Sequence, residues 1–202
     1  MKKYFTLYIA ILSLFSLNGF SQKSKLKSAD TKYNNLAYID AIKTYEKVAQ
    51  KGYKSADMYQ KIGNSYYFNG ELESAAKWYS ELFAMDTANL EPEYYYRYAQ
   101  SLRSIGENDK ANQMLELFNQ KSGNDIRGKL FKKNTNYLEA IKANSGRYKI
   151  EDAGINSKYS DYGSAINSNQ LVFASARDTG SLGQRKHKWT GQYFTNLYTS
   201  DL

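Results

Sequence analysis

The feature that most constrains this chain is an internal repeat with a period close to 34 residues. Ala41, Ala75 and Ala111 recur at intervals of 34 and 36 residues, and a large apolar or aromatic residue lies four positions after each of them. Twelve positions before these alanines lie three more small residues, Ala29, Gly63 and Ala99. Small residues at mid-helix let two helices approach closely while larger neighbours fill the seam between them. Since one such hairpin leaves an apolar side open, the pattern predicts hairpins that stack.

Turn signals between the matching segments set the helix boundaries. Gly70 and Gly106 each follow the first helix of a unit, where glycine takes the left-handed conformation that ends a helix. Pro92 falls just inside a predicted helix start, the position where proline is tolerated. The predicted helices cover residues 24–35, 39–50, 55–68, 72–85, 92–104 and 108–121.

A further helical pattern runs from about Asp125 to Ala143. It carries an apolar stripe opposite a face rich in lysine. The stripe consists of Ile126, Leu130, Leu138 and Ile141, with Phe131 beside it. We expect this segment to form one capping helix that covers the end of the stack.

The repeat resembles the tetratricopeptide repeat. In the second unit the matching residues are Tyr59, Ile62, Gly63, Tyr66, Gly70, Ala75, Tyr79 and Leu82. In the third unit they are Tyr95, Tyr98, Ala99, Leu102, Gly106, Ala111, Leu115 and Phe118. The first unit matches less well, because Lys32 stands where an aromatic residue is usual. The resemblance implies a mainly α fold, a superhelix of about three helix pairs plus the capping helix.

After Gly146 the pattern changes to short β-like runs bounded by turn residues. Predicted strands are Tyr148–Glu151, Gln170–Ser175 and Tyr193–Thr199. Three strands leave open edges and are too few for a closed β fold, so this region is predicted to be incomplete.

The first 21 residues read as a secretory signal peptide. Lys2 and Lys3 precede an apolar run, Tyr4–Leu17, and the small residues Gly19 and Ser21 follow it. The apolar run is shorter than the roughly 20 residues of a membrane-spanning helix, so a transmembrane anchor is the weaker alternative. We expect cleavage after Ser21 and an exported mature protein that does not span a membrane.

No pattern of residues typical of a catalytic or metal site occurs in the sequence. There is no cysteine, and His187 is the only histidine. Asp152, Asp161 and Asp178 could be imagined as calcium ligands, but aspartates that form turns are the commoner explanation. The sequence therefore predicts no enzyme, no catalytic residue, no cofactor and no metal. The net charge of +8 falls to +6 without Lys2 and Lys3 and is too scattered to predict nucleic-acid binding.

The 20 tyrosines favour protein–protein contact, because tyrosine gives rigid contact area and is enriched at interfaces. On the first helix of each unit, the residues three and four positions apart that point away from the core are expected to face a partner. These candidate protein-binding residues are Tyr33, Asp57, Gln60, Asn64, Tyr67, Glu93, Tyr96, Gln100 and Arg103.

The C-terminal region carries a second resemblance. Ile155–Ser157, Tyr159–Gly163, Leu171–Arg177 and Tyr193–Tyr198 resemble the opening blade of a WD-like β-propeller. That propeller occurs in Bacteroidetes envelope proteins of the OmpA family, of the PorE-like kind associated with the type IX secretion system. The resemblance implies a signal peptide at 1–21, tetratricopeptide repeats at 22–145 and a partial propeller blade at 146–202, truncated before the rest of the propeller and an OmpA-like domain.

The resemblance also implies a function. It indicates a periplasmic scaffold, associated with the outer membrane, that links a secretion or gliding component to the cell wall. The expected partner is an outer-membrane β-barrel of the PorP/SprF kind, with peptidoglycan held only by a domain absent from this chain. A general OmpA-class envelope-integrity protein is one alternative. An enzyme with its active site in sequence beyond Leu202 is a weaker one.

Overall fold

The computed structural model describes residues 22–85, 90–135 and 137–201 of the chain. The predicted signal peptide lies outside them. Contacts between Cα atoms divide the chain into two units, with the boundary between Lys132 and Lys133. In the described residues, no helix combines the length and the apolar character that crossing a bilayer requires.

The N-terminal unit is built from helices at the positions that the repeat predicts. A helix, α1, covers residues 22–34. The next five helices are α2 (Tyr38–Ala49), α3 (Ala56–Phe68), α4 (Leu72–Phe83), α5 (Pro92–Ser104) and α6 (Asn108–Lys121). Their ends lie within about two residues of the predicted ones, the usual uncertainty of a helix end.

The small residues of the repeat lie where the helices are closely packed. Ala41, Ala75 and Ala111 are fully buried in one core cluster with the large side chains that follow them. Gly63 of α3 is packed so tightly that an added Cβ atom would lie 2.5 Å from the ring of Tyr79 in α4. α3 packs on α4, α4 on α5 and α5 on α6. The described residues of the unit therefore form three helix pairs that resemble a tetratricopeptide-repeat superhelix.

The turns that end α3 and α5 have the predicted glycine conformation. Gly70 and Gly106 have φ angles of +76° and +81°, in the left-handed region. The amide of the next residue, Glu71 or Glu107, donates a hydrogen bond to a carbonyl oxygen five residues earlier. These bonds satisfy carbonyl groups that the helix end leaves without partners.

The predicted single capping helix is wrong. Two short helices, α7 (Ile126–Lys133) and α8 (Tyr137–Ala143), occupy this stretch. Ile126 and Leu130 of the expected apolar stripe are 64% and 58% exposed. α7 instead packs through Gly128, which has no side chain to hold it away from Asn119 of α6, and through buried Phe131. Spacing alone predicted the stripe, whereas the close approach at Gly128 decides which face packs.

The C-terminal unit contains one antiparallel sheet in the order β1 (Asp161–Asn167), β2 (Gln170–Ser175) and β3 (Asn196–Asp201). The prediction for β2 is confirmed. The strand predicted at Tyr148–Glu151 is wrong, since these residues are exposed and irregular. The last predicted strand begins three residues later than expected. β1 was missed because its Gly, Ser and Asn residues do not favour strands, and pairing with β2 holds it in the sheet.

A charged pair joins the start of β1 to the residues that follow β2. The carboxylate of Asp161, whose side chain is 11% exposed, accepts hydrogen bonds from the Ser157 backbone amide at 2.5 Å and from Arg177 Nη2 at 3.0 Å. The Arg177 guanidinium lies 5.1 Å from the Phe173 ring centroid and 4.9 Å from that of Tyr198. The hydroxyl of Ser175, the amide of Ser157 and Arg177 together hold the pKa of Asp161 well below its usual range.

The contacts of Asp161 predict that the stability of the C-terminal unit depends on pH. Because the folded state lowers this pKa, the stabilisation is complete above the unfolded-state pKa of about 3.9 and is lost as pH falls through the folded-state value. We expect Asp161→Asn to speed hydrogen exchange of the β2 amides at neutral pH and to differ less from the unmodified chain near pH 3. NMR exchange rates, corrected for intrinsic pH dependence, measure this. The exposed Asp109→Asn is the control, and an Asp161→Asn effect that grows in acid would contradict the assignment.

Candidate protein-binding surface

The first helices of successive pairs, α1, α3 and α5, adjoin one another on one side of the repeat unit, and α7 follows α5 there. We call this side the inner surface. Its side chains are those that link these helices or lie beside the links: Asp30, Tyr33, Asp57, Lys61, Asn64, Tyr67, Phe68, Glu93, Tyr94, Tyr96, Arg97 and Arg127.

Polar bonds connect each first helix to the next. Lys61 Nζ lies 2.7 Å from Asp30 Oδ1, which joins α3 to α1. Arg97 Nη1 donates to Asn64 Oδ1 at 2.8 Å, which joins α5 to α3. Arg127 Nη2 donates to Glu93 Oε2 at 2.8 Å, which joins α7 to α5. The partners are 31, 33 and 34 residues apart, so the repeat period brings the same face of each first helix beside the next.

Asn64 is the centre of this network and lies in the interior, with 4% of its surface exposed. Its side-chain oxygen accepts hydrogen bonds from the Tyr79 hydroxyl at 2.8 Å and from Arg97. Its amide nitrogen donates to the Tyr33 hydroxyl at 3.1 Å. The structure therefore places Asn64 beneath the surface, where it positions Tyr33 and Arg97 instead of meeting a partner.

The other residues predicted from the sequence lie on or near the inner surface to different degrees. Asp57 is exposed, and half-buried positions are taken by Tyr33, Gln60, Tyr67, Glu93, Tyr96, Gln100 and Arg103. Tyr96 is partly covered, because the Arg127 guanidinium lies 4.3 Å from its ring centroid. Arg103 is engaged with the last helices: its Nη2 donates to Asn112 at 3.0 Å and its guanidinium lies 6.0 Å from the Phe131 ring centroid.

Arg97 is an inner-surface residue that sequence reasoning missed, and it contacts residues of both α3 and α5. Its guanidinium lies 5.9 Å, 4.9 Å and 6.0 Å from the ring centroids of Tyr67, Phe68 and Tyr94. Its Nε donates to Glu93 Oε1 at 3.3 Å. Among the described residues, none accepts a hydrogen bond from Nη2.

The sequence does contain a signal for two of the basic residues that the sequence analysis missed. Lys61 and Arg97 each lie four residues after an acidic residue, Asp57 and Glu93, which is the spacing of an ion pair on one helix face. Arg127 had no such signal, since its partners Asp125 and Glu93 lie two and 34 residues away.

The ion pair between Asp30 and Lys61 changes the pKa values of both groups. Burial alone would raise the pKa of Asp30, but hydrogen bonds from Lys61 and Tyr45 outweigh it and lower the pKa. Burial likewise opposes the charged form of Lys61, yet its bonds to Asp30 and Asp57 raise its pKa. The charged forms of these groups are thus the ones that the folded state stabilises.

The three aspartates considered above as calcium ligands are engaged otherwise. Asp152 and Asp178 each accept a hydrogen bond at 2.8 Å from the backbone amide two residues later, in Asx turns. Asp161 is bonded to Ser157 and Arg177. Within the described part of the chain, no three potential metal-ligating residues come together.

Comparisons with known proteins give structural likeness only. No protein-family model matches the chain, and no curated protein matches it. Among solved structures, it is similar to the type III secretion translocator chaperone SycD of Yersinia enterocolitica, with 22% identity and a TM-score of 0.44, over 62% of this chain and 86% of that one. It is also similar to the Sgt2 tetratricopeptide-repeat domain of Aspergillus fumigatus, with 13% identity and a TM-score of 0.46, over 68% of this chain and 91% of that one.

Proposed function

We propose that this chain is a non-catalytic adaptor that holds a protein partner on its inner surface. The observation that carries the proposal is the row of half-buried tyrosine rings that continues from one first helix to the next: Tyr33 on α1, Tyr67 on α3, and Tyr94 and Tyr96 on α5. Tyrosine rings that are partly exposed give apolar contact area together with a hydroxyl group, and they are enriched among residues that dominate binding energy.

The polar bonds beneath the rings support the same function. Asn64 holds Tyr33 through its amide, and the guanidinium of Arg97 lies against the rings of Tyr67 and Tyr94. Side chains fixed before binding lose less conformational entropy when a partner arrives. The inner surface is therefore prepared for binding by contacts within the repeat unit.

We further propose that the adaptor works in the periplasm at the outer membrane. The basic and apolar N-terminal residues ending at Ser21 support export. The motifs from Ile155 to Tyr198 support kinship with OmpA-family envelope proteins and a β1–β3 sheet that begins a propeller. In this proposal the inner surface holds a type IX secretion or gliding component, such as a β-barrel of the PorP/SprF kind, and a wall-binding domain beyond this chain holds peptidoglycan.

A pull-down from intact cells tests the adaptor function. We expect the tagged full-length protein to recover subunits of a secretion machine, and we expect the double substitution Tyr33→Ala and Tyr67→Ala to lower that recovery by about tenfold or more. That loss corresponds to roughly 1.4 kcal/mol of binding free energy, which two interface tyrosines can supply.

Tyr148→Ala is the matched control, because Tyr148 is 85% exposed and lies in the other unit. Recovery of cell-wall material alone, with equal yields from all variants, would refute the adaptor proposal. It would favour a general envelope-integrity protein.

A further inference from the structure

The charged side chains of the inner surface are largely occupied with one another. Lys61 lies 2.7 Å from Asp30 and 2.8 Å from Asp57. At the other end, Glu93 bridges Arg97 and Arg127, and Arg127 also pairs with Asp125 at 2.9 Å. Two sets of ion pairs result, one around Lys61 and one around Glu93.

The charges within these sets nearly cancel. Two carboxylates against one ammonium leave the Lys61 set with a single negative charge, and the Glu93 set has two cations and two carboxylates. The chain as a whole has a net charge of +8. Its excess of basic residues therefore lies outside the two sets, and the inner surface does not share the general attraction for anions.

A charged partner would gain little on such a surface. An acidic side chain would have to compete with Glu93 and Asp125 for Arg127, or approach the carboxylates of Asp30 and Asp57, which would repel it. A basic side chain would have to compete with Lys61, Arg97 and Arg127 for the carboxylates that these residues already pair with. A charge on the partner would thus find most of its possible counter-charges already paired.

What the inner surface offers instead is aromatic area around one arginine. The rings of Tyr67, Phe68 and Tyr94 lie within 6.0 Å of the Arg97 guanidinium. The guanidinium retains donors on Nη2 that no described residue accepts. A backbone carbonyl flanked by apolar side chains satisfies both features, since the carbonyl accepts from Arg97 while the side chains cover the rings.

We propose that the inner surface recognises an uncharged peptide segment, whose apolar side chains pack on Tyr67 and Tyr94 and whose backbone carbonyl accepts a hydrogen bond from Arg97. This inference rests on the proposed adaptor function and specifies the chemistry of the partner. It predicts binding that is insensitive to salt, because screening acts on attraction between charges and not on apolar contact.

Selection from a displayed library of random peptides tests the proposal. Peptides of roughly 12 residues, when extended, reach across three helices spaced about 9 Å apart. The library is selected on the full chain, and peptides that also bind a Tyr67→Ala variant are removed. We expect the remaining peptides to be rich in aliphatic and aromatic residues and poor in Asp, Glu, Lys and Arg.

The affinity of the enriched peptides gives the second readout. We expect the Kd of a synthesised peptide to change by less than about twofold between low and high salt, and to weaken by about tenfold in Arg97→Ala, which removes the donor and its ring contacts. Circular dichroism is used to check that the Tyr67→Ala and Arg97→Ala variants remain helical. Tyr148→Ala serves as the unaffected control.

Two other outcomes separate the two proposals. Acidic or basic peptides that need Tyr67 and weaken about tenfold or more in high salt would overturn the uncharged-segment proposal and leave the adaptor function intact. A selection that yields no Tyr67-dependent peptide would count against the adaptor function itself, and with it against the proposed partner chemistry.

Discussion

Replacing Gly63 by valine is expected to lower the free energy of unfolding of the repeat unit by about 3 kcal/mol. A Cβ atom at this position lies 2.5 Å from Tyr79 Cε1 and 2.7 Å from Cδ1. Tyr79 is fully buried and its hydroxyl is bonded to Asn64, so the ring cannot move aside without breaking that bond. Urea unfolding followed by helical circular dichroism measures the change.

A matched substitution shows the effect of valine at a helix position without a steric conflict; glycine has the lower helix propensity, so propensity alone would favour Gly63→Val. Gln113 of α6 is exposed, and Gln113→Val is expected to change stability by no more than about 0.5 kcal/mol. If Gly63→Val were as mild as Gln113→Val, α3 and α4 would not be in close contact at this point, and the packing described above would be wrong.

The second large effect is expected at Asn64. Asn64→Ala removes the hydrogen-bond partner of Tyr33, Tyr79 and Arg97 at once, and leaves polar groups unsatisfied in the interior. Each such group costs about 1–3 kcal/mol, so we expect a loss of about 3 kcal/mol in the free energy of unfolding, because Tyr33 and Arg97 can still reach water. Urea unfolding again provides the measurement.

Gln60→Ala is the companion experiment, because Gln60 is another amide on α3 but is only half-buried. We expect its effect on stability to be small. An Asn64→Ala variant with unchanged stability and lost partner binding would place Asn64 on the binding surface, as the sequence pattern predicted, and would contradict its assignment to the interior.

The helices of the repeat were predictable because small residues in a core leave a strong signal. Ala41 and Ala75 are fully buried, and their 34-residue spacing is visible in the sequence without knowledge of any contact. The same period identified the faces of α3 and α5 that form the inner surface. The helical fold and the helix faces that carry the candidate binding surface could thus both be predicted from the repeat period.

What the pattern did not determine was the depth and pairing of individual side chains. Asn64 and Gln60 lie on the same face of α3, yet only Asn64 is enclosed, because Tyr79 and Arg97 from two other helices close over it. The role of Arg127 depends on a bond to Glu93 across 34 residues. Helical periodicity reports direction around one helix axis and contains no information about such contacts between helices.

The C-terminal strands show that the sequence of one strand also contains little information about its pairing with another strand. β2 was predictable from its own apolar residues, Leu171, Val172 and Phe173. β1 contains Gly163, which has a φ of +67° at an irregularity in the strand pairing. A strand of this composition forms because β2 supplies its hydrogen-bonding partner, so its own sequence gives little indication of it.

Site-specific photocrosslinking in cells tests most directly the claim that the inner surface is where a protein partner binds. A photoreactive phenylalanine analogue is placed at Tyr67 of α3 in one variant and at the exposed Tyr148 in another. We predict that light produces a discrete crosslinked protein from position 67 and little or none from position 148. Crosslinks that arise from position 148 and not from position 67 would contradict the account.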